Sequence, residues 1–137
     1  MKVILTESQR NILSKQAIEQ VPNESCALLF GKTENDQLVV KDLFLTENTE
    51  KSPVNFTISN EQLIQGYQEA EEKKLEVIGI FHSHPNSEPY PSNIDKKFMK
   101  INHPYVWIIF SCLSKNFKAY TLDSEIIEII EIPIVTA

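Results

Sequence analysis

Residues 75–85 read Leu-Glu-Val-Ile-Gly-Ile-Phe-His-Ser-His-Pro, a short apolar run that ends in two histidines and a proline. The apolar part predicts a buried strand from Leu75 to Phe81, and Pro85 ends its pairing because proline has no backbone N–H. In a sheet flanked by helices, binding residues collect at the carboxyl ends of the strands. The stretch therefore predicts an α/β sheet and also where its functional site lies.

Helices and strands alternate on both sides of this stretch. Residues 6–9 (Thr-Glu-Ser-Gln) form a capping-box pattern that opens a helix, which ends at Pro22. Helical spacing of apolar residues predicts a second helix over residues 59–74, and a third runs from Ser92 to about residue 101. Strand-like runs cover residues 25–31, 37–45, 105–111, 116–122 and 125–135. This order predicts an α/β protein with a mixed sheet, and the first two runs form a hairpin.

Composition limits the classes of partner. The 137 residues, 42% of them hydrophobic, suffice for one compact domain, which we take to span residues 1–137. A net charge of −6, with 13 basic residues that do not cluster, argues against nucleic-acid binding. The first residues lack the apolar core of a signal peptide, and no run approaches the ~20 residues of a membrane span. We therefore expect a cytoplasmic protein, with Cys26 and Cys112 as buried free thiols.

Three side chains make a candidate metal site. His82 and His84 are two positions apart in an extended segment, so both rings project from one face. Asp95 opens the next predicted helix and can fold back over them after the proline-bearing loop. This donor set suits Zn²⁺, and three protein ligands leave a fourth position for water, whose pKa the metal lowers to roughly 7. Ser92 and Asp95 would also make an ordinary capping box, which does not exclude ligation by Asp95.

A hydrolytic metal site also needs a group that takes a proton from water and returns it to the leaving group. Glu24 is the best candidate, because it immediately precedes the apolar run 25–30, which would hold it rigidly. A solvated charge at a strand entrance is the simpler interpretation of this residue. His103, which lies in a loop, is interpreted as a surface histidine.

These residues form a pattern that closely resembles the JAMM motif of the MPN+ (JAB1/MPN/Mov34) metalloprotease family. The matching positions are Gly79-x-x-His82-Ser83-His84-Pro85, then Pro91-Ser92-x-x-Asp95, and upstream Glu24-x-Cys26. The resemblance extends in element order over nearly the whole chain, and it implies a cytidine-deaminase-like α/β fold with about three helices. It further implies that His82, His84 and Asp95 bind one catalytic zinc ion. Glu24 would be the general base, and Ser92 would stabilise the developing oxyanion.

The resemblance also implies an activity. Many members cleave isopeptide or peptide bonds at the C-terminus of ubiquitin or ubiquitin-like proteins, and small single-domain prokaryotic members act on ubiquitin-like modifiers or on sulfur-carrier proteins with a Gly-Gly tail. We therefore predict a zinc metallo-(iso)peptidase that cleaves after such a diglycine tail, with metal-bound water as the nucleophile. The tail would bind as an added strand, with Phe44, Phe56 and Tyr90 as candidate contacts. One departure is Ala27, where the family usually has glycine.

Other functions fit parts of the pattern. A catalytically silent MPN-like scaffold would share the fold, but such proteins typically lack one or more ligands, and all are present here. The spacing His82-x-His84-x-x-x-Glu88 imitates part of a cupin metal signature, although three predicted helices count against a cupin barrel. A cytidine deaminase would need a Pro-Cys-x-x-Cys arrangement, which the sequence does not contain.

Overall fold

A computed structural model describes residues 1–102 and 104–137. Over these residues the elements are β1 (Lys2–Leu5), α1 (Glu7–Gln20), β2 (Cys26–Glu34), β3 (Gln37–Thr46), α2 (Asn60–Glu72), β4 (Glu76–His84), α3 (Asn93–Ile101), β5 (Val106–Ser111), β6 (Phe117–Asp123), β7 (Glu128–Ile132) and β8 (Ile134–Thr136). His103, interpreted above as a surface histidine, lies outside the described residues. No described helix combines the length and the apolar character needed to cross a membrane.

The strands form one mixed sheet in the order β7-β6-β5-β4-β2-β3-β1-β8. Strand β4 lies in its middle, antiparallel to β2 and parallel to β5. The predicted hairpin of β2 and β3 is confirmed. Its turn residues Asn35 and Asp36 have φ of 48° and 64°, the left-handed conformation that tight hairpin turns require. The predicted α/β class, with a mixed sheet and three helices, is confirmed, and it excludes the cupin interpretation.

The two ends of the chain differ from the prediction. No strand is predicted at residues 2–5, but they form β1, which pairs in parallel with β3. The predicted strand 125–135 is two strands: β7 pairs with β6, and β8 pairs with β1 at the opposite edge. Pro133 separates β7 from β8 because it has no N–H to continue a ladder, and its carbonyl accepts from Val3 N–H at 2.9 Å. The sheet therefore curves until its two edges approach each other at Pro133.

Each face of the sheet has its own apolar core. Along β2, Ala27 and Leu29 pack with Leu13 of α1, whereas Leu28 and Phe30 pack with Ala70 of α2. This alternation follows from the two-residue period of a strand. A third cluster joins α3 to strands β5 and β6 and consists of Met99, Trp107, Ile109 and Tyr120. Helix α1 thus covers one face, and α2 and α3 cover the other.

Gly79 allows β4 and β5 to approach closely at the middle of the sheet. A Cβ atom at this position would lie 2.4 Å from the carbonyl oxygen of Val106, a distance that real Cβ atoms do not adopt. Any other residue would push the two strands apart. Because β4 carries both histidines at its carboxyl end, Gly79 helps to fix the position of the candidate site.

Both cysteines are free thiols, as predicted. Cys26 is fully buried in β2, and burial raises its pKa to about 11. Cys112 is only half-buried, in contrast to the prediction, because it lies just beyond the end of β5.

Candidate metal centre

The two histidines lie inside the sheet. Strand β4 does not end at Phe81 as predicted but continues to His84, which pairs with Ser111 of β5. His82 is completely buried, and His84 is 5% exposed. The ladder to β5 fixes the backbone of both residues, so their rings project rigidly from the face that α2 and α3 cover.

Asp95 completes a cluster of three potential ligands. Its Oδ2 atom lies 3.2 Å from His82 Nε2 and 3.1 Å from His84 Nε2. One donor atom from each of the three residues lies within 4.8 Å of the others. In the sequence, a loop and the start of a helix separate Asp95 from the two histidines. The fold brings the three side chains together, as the spacing predicts.

Ser92 places Asp95 in this cluster. The Ser92 hydroxyl accepts from Asp95 N–H, and Ser92 N–H donates to Asp95 Oδ2, both at 3.0 Å. This is the capping box that the sequence also allows, and it opens α3. The same carboxylate oxygen faces the histidines, so capping and proximity to the rings occur together. The Ser92 hydroxyl uses a lone pair in the cap and keeps its own hydrogen to donate.

The tautomer of His84 suits metal binding. His84 Nδ1 lies 2.9 Å from the carbonyl oxygen of Glu88, which only accepts, so Nδ1 carries a hydrogen. In the neutral ring the lone pair is then on Nε2, the atom that faces Asp95. Glu88 thus contributes its backbone carbonyl, in the supporting role typical of metal-bound histidines. Its side chain is not part of the ligand cluster, so the cupin-like spacing does not describe this site.

His82 lacks partners for its ring nitrogens. Among the described residues neither nitrogen has a hydrogen-bond partner, since the contact with Asp95 is close but not suitably angled. A buried polar group without a partner is costly. Burial lowers the pKa of His82, which favours the neutral form that binds metals. Phe56 stacks on the ring at 4.8 Å and Trp107 meets it edge-on at 6.3 Å, so aromatic contacts fix its orientation.

The charge of the cluster also fits a divalent cation. Burial alone would raise the pKa of Asp95, but His82, His84 and the Ser92 N–H outweigh it and hold that pKa well below its usual range. Asp95 is therefore an anion at neutral pH. Burial opposes protonation of His84, yet Asp95 and the Glu88 carbonyl raise its pKa overall. A proton on His84 would therefore compete with a metal ion, and the donor set of two imidazoles and one carboxylate matches Zn²⁺.

Glu24 lies beside this cluster and is not a solvated charge. It is 3% exposed, and its Oε1 atom has no hydrogen-bond partner in the described part of the chain. Burial raises its pKa to about 8. Two smaller effects act in opposite directions: His84 lowers this pKa, and the charge of Asp95 raises it. Together with His84 and Ser92, Glu24 lines a cavity of about 410 Å³, which we call the mouth of the site. A buried carboxylate with a raised pKa in a cleft is typical of a group that transfers protons.

The three predicted substrate contacts lie in different places. Tyr90 lines the mouth and is 57% exposed. Phe56 stacks on His82 and is not one of the described residues that line the mouth. Phe44 instead packs against Phe30 at 5.8 Å, in the core beneath α2.

Sequence reasoning missed two buried polar groups near Glu24. Ser83 lies between the histidines but points to the opposite face, where its hydroxyl accepts from Ser25 N–H at 2.8 Å. Asn48 is 7% exposed and donates to the carbonyl of Glu24 at 3.0 Å. Strand alternation could have indicated the direction of Ser83, whereas no local signal indicates that Asn48 is buried.

Fold and site together define a JAB-type α/β domain with a two-histidine, one-aspartate centre. Residues 6–123 match the family Prok-JAB, the prokaryotic homologs of the JAB domain, and the chain belongs to this family.

Three named relatives share sequence with the chain. It is 41% identical over 102 residues to a desampylase of Pyrococcus furiosus, covering 74% of this chain and 69% of that protein. It is 27% identical to COP9 signalosome complex subunit 5 of Kluyveromyces lactis, over 89% of this chain and 34% of that protein. It is also 27% identical to the Lys-63-specific deubiquitinase BRCC36 of Camponotus floridanus, over 83% of this chain and 49% of that protein.

Two solved structures share the fold. A protein from Desulfitobacterium hafniense aligns with a TM-score of 0.86 at 23% identity, covering 100% of this chain and 93% of that one. A protein from Salinibacter ruber aligns with a TM-score of 0.75 at 22% identity, covering 100% of this chain and 92% of that one.

Proposed function

We propose that the chain is a zinc-dependent metallo-(iso)peptidase that cleaves after the C-terminal Gly-Gly tail of a ubiquitin-like modifier or sulfur-carrier protein. The observation that carries this proposal is that Glu24 shares one mouth with His84 of the three-ligand cluster. Glu24 is buried there, and its Oε1 has no hydrogen-bond partner among the described residues. The relatives named desampylase and Lys-63-specific deubiquitinase support a hydrolase of the isopeptidase type.

The residues divide the reaction between them. A Zn²⁺ ion held by His82, His84 and Asp95 would supply Lewis acidity toward water and the substrate carbonyl when bound. Glu24 takes a proton from the attacking water and delivers it to the nitrogen of the scissile bond. The C–N bond then breaks to give a carboxylate and an amine. Burial raises the pKa of Glu24 to about 8 in the metal-free protein, and a bound cation favours its charged form, which accepts the proton.

Ser92 acts on the oxygen of the scissile carbonyl. Its hydroxyl hydrogen is not used by the cap, because the cap requires only a lone pair. Ser92 lies in the mouth with Glu24, so that hydrogen can be donated to the negative charge that develops on the carbonyl oxygen. Because the capping box fixes the Ser92 backbone, this donor is oriented before the substrate arrives.

The mouth suits a narrow, extended peptide. Pro53 and Val54 line it from the segment before α2, and Tyr90 lines it from the segment between β4 and α3. The Tyr90 segment is rigid because buried side chains hold the carbonyls that precede it: Ser111 donates to Ser87, and Tyr120 donates to Pro89, both at 2.7 Å. A preformed cleft reduces the entropy lost on binding a flexible tail. Glycines have no side chains to clash with its walls.

The predicted compartment remains the cytoplasm. The free thiols of Cys26 and Cys112 support it, since such thiols persist in reducing compartments.

Zinc content and cleavage, measured on one preparation, test the proposal. The substrate is a small ubiquitin-like protein extended beyond its Gly-Gly tail, assayed with and without a chelator. We expect one zinc per chain and chelator-sensitive cleavage that disappears in Glu24→Gln. Zinc without cleavage of any tailed substrate would favour the catalytically silent scaffold, and absence of zinc would contradict the proposal at its basis.

A further inference from the structure

The segment 47–59, between β3 and α2, contains no helix or strand and adjoins Glu24. Most of its side chains are exposed or half-buried, but Asn48 is only 7% exposed. A buried amide in an otherwise open segment must be satisfied by specific hydrogen bonds. We call residues 47–59 the Asn48 loop.

The amide of Asn48 uses its donors and its acceptor at once. Nδ2 donates to the carbonyls of Glu24 at 3.0 Å and Asn55 at 2.9 Å, and the carbonyl of Ser52 lies farther away, at 3.5 Å. Oδ1 accepts from the N–H groups of Glu50 at 3.1 Å and Thr57 at 3.2 Å. One side chain therefore connects the two limbs of the loop to each other and connects both to Glu24.

Glu24 depends on this loop for its backbone position. Its N–H donates to the carbonyl of Ser52 at 2.9 Å, and its own carbonyl accepts from Asn48. Both main-chain groups of Glu24 are thus bonded to the loop, while β2 begins only at Cys26. In the part of the chain that the structure describes, no hydrogen bond holds Oε1, so the direction of the carboxylate is set mainly by the main chain that carries it.

The same loop reaches two other parts of the site. It carries Phe56 onto the ring of His82 and carries Pro53 and Val54 to the wall of the mouth. Asn48 is not among the residues that line the mouth, so its hydrogen bonds are directed entirely to the protein. Its effect on the reaction would therefore be transmitted through the residues it holds.

We propose that Asn48 is a positioning residue for Glu24, which holds the backbone of Glu24 and the surrounding loop as one hydrogen-bonded unit. The inference rests on the proposed function for the role of Glu24. The buried amide of Asn48 bonds both to the backbone of Glu24 and to the backbone of the loop that lines the mouth. The position of the base therefore depends on the fold of this loop. A displacement of Glu24 by about 1 Å would be enough to cost on the order of 100-fold in turnover.

Two substitutions in the same loop provide the test. Asn48→Ala removes the side-chain amide and its hydrogen bonds. Asn55→Ala is the matched control, because the hydrogen bonds of Asn55 among the described residues are made by its backbone, whose carbonyl accepts from Asn48 and whose N–H donates to Ser52 Oγ at 3.2 Å.

In the metal-free protein we expect hydrogen exchange of the Glu24, Glu50 and Thr57 amides to accelerate at least tenfold in Asn48→Ala alone. In the zinc-loaded protein we expect kcat to fall roughly 10- to 100-fold with zinc content retained. KM should rise by a smaller factor, because the same loop carries Pro53 and Val54 to the mouth.

Asn48→Asp provides a second variant if the alanine variant fails to fold. It keeps the shape and the Oδ1 acceptor but loses the two donated hydrogen bonds. We expect the Glu50 and Thr57 amides to stay protected while the Glu24 amide exchanges faster and kcat falls.

Unchanged protection of the Glu24 amide in both Asn48 variants would overturn the inference, as would an equal loss of kcat in the Asn55 control. If the wild type cleaves no tailed substrate, the proposed function fails, and exchange at Glu24 then decides the positioning inference separately.

Discussion

The ring of Phe56 stacks on the ring of His82, with centroids 4.8 Å apart and planes 23° apart. His82 has no hydrogen bond to fix the direction of its nitrogens within the described residues, so this stacking is a main restraint on its orientation. A potential metal ligand is thus oriented by an aromatic contact on its ring face, and not by the carboxylate or carbonyl partner that orients other metal-bound histidines.

Removal of that contact should weaken metal binding. We expect Phe56→Ala to lower the zinc affinity by about tenfold, the lower end of the effect of removing a ligand's supporting partner. Competition with a chromophoric chelator measures this directly. Phe98→Ala provides the control, since it removes an equal ring from α3 at a position that is 46% exposed. Equal affinities for the Phe56 variant and the wild type would show that the stacking does not orient the ligand.

Glu24 should destabilise the metal-free protein at neutral and higher pH. Burial raises its folded pKa to about 8 from an ordinary value of 4.5, so the folded state binds a proton more tightly than the unfolded state. Stability therefore falls as the pH rises from about 4.5 to about 8, and Glu24→Gln removes this penalty. We expect the variant to be more stable by on the order of 4 kcal/mol at pH 8 and nearly equal to the wild type at pH 4.5.

Thermal unfolding of both proteins in chelator, across this pH range, provides the measurement. A stability difference that does not change with pH would contradict the assigned burial of the charge. Excess zinc should reduce the difference, because a bound cation favours the charged form of Glu24.

Two substitutions test whether His84, and not Glu88, is a metal ligand. His84→Ala should abolish stoichiometric zinc binding, since it removes one of three ligands. Glu88→Ala should retain zinc, because Glu88 contributes only its backbone carbonyl to His84 Nδ1, at 2.9 Å. Zinc content after dialysis distinguishes the two variants. Loss of zinc in Glu88→Ala to the same extent would indicate a different ligand set that includes this carboxylate.

The parts of the site that could be predicted from the sequence are those marked by a pattern among neighbouring residues. The strand period places His82 and His84 on one face, and the capping pattern places Asp95 at a helix start. The role of Glu24 required the family resemblance, because a glutamate before a strand has no distinctive pattern of its own.

Other features depend on contacts that are distant in the sequence. Strands β1 and β8 are four and three residues long, and they are defined by pairing with each other and with β3. Asn48 is buried by groups as far as 24 positions away in the sequence. Neither feature has a periodic or capping signal, so neither could be predicted from its own neighbourhood.

We predict two roles for Ser92, one in catalysis and one in capping α3, which kcat and stability measured on the same variants distinguish. Ser92→Ala removes the hydroxyl and should lower kcat by about 100-fold through loss of oxyanion stabilisation. It should also destabilise the protein by about 1 kcal/mol, because α3 loses its N-cap. Ser92→Thr keeps the hydroxyl for both roles and should restore most of the stability and activity. A Ser92→Ala variant that is destabilised but has an unchanged kcat would leave Ser92 with a structural role only.

Tyr90 should act on substrate binding and not on the chemistry. Its ring is 57% exposed at the mouth, whereas its backbone is held by the fixed carbonyls of the preceding residues. Truncation to alanine therefore removes contact area without moving His84 or Glu24. We expect Tyr90→Ala to raise KM for a tailed protein substrate severalfold while kcat and zinc content stay unchanged. Steady-state kinetics over a range of substrate concentrations would decide, and a reduced kcat at unchanged KM would place Tyr90 in the reaction itself.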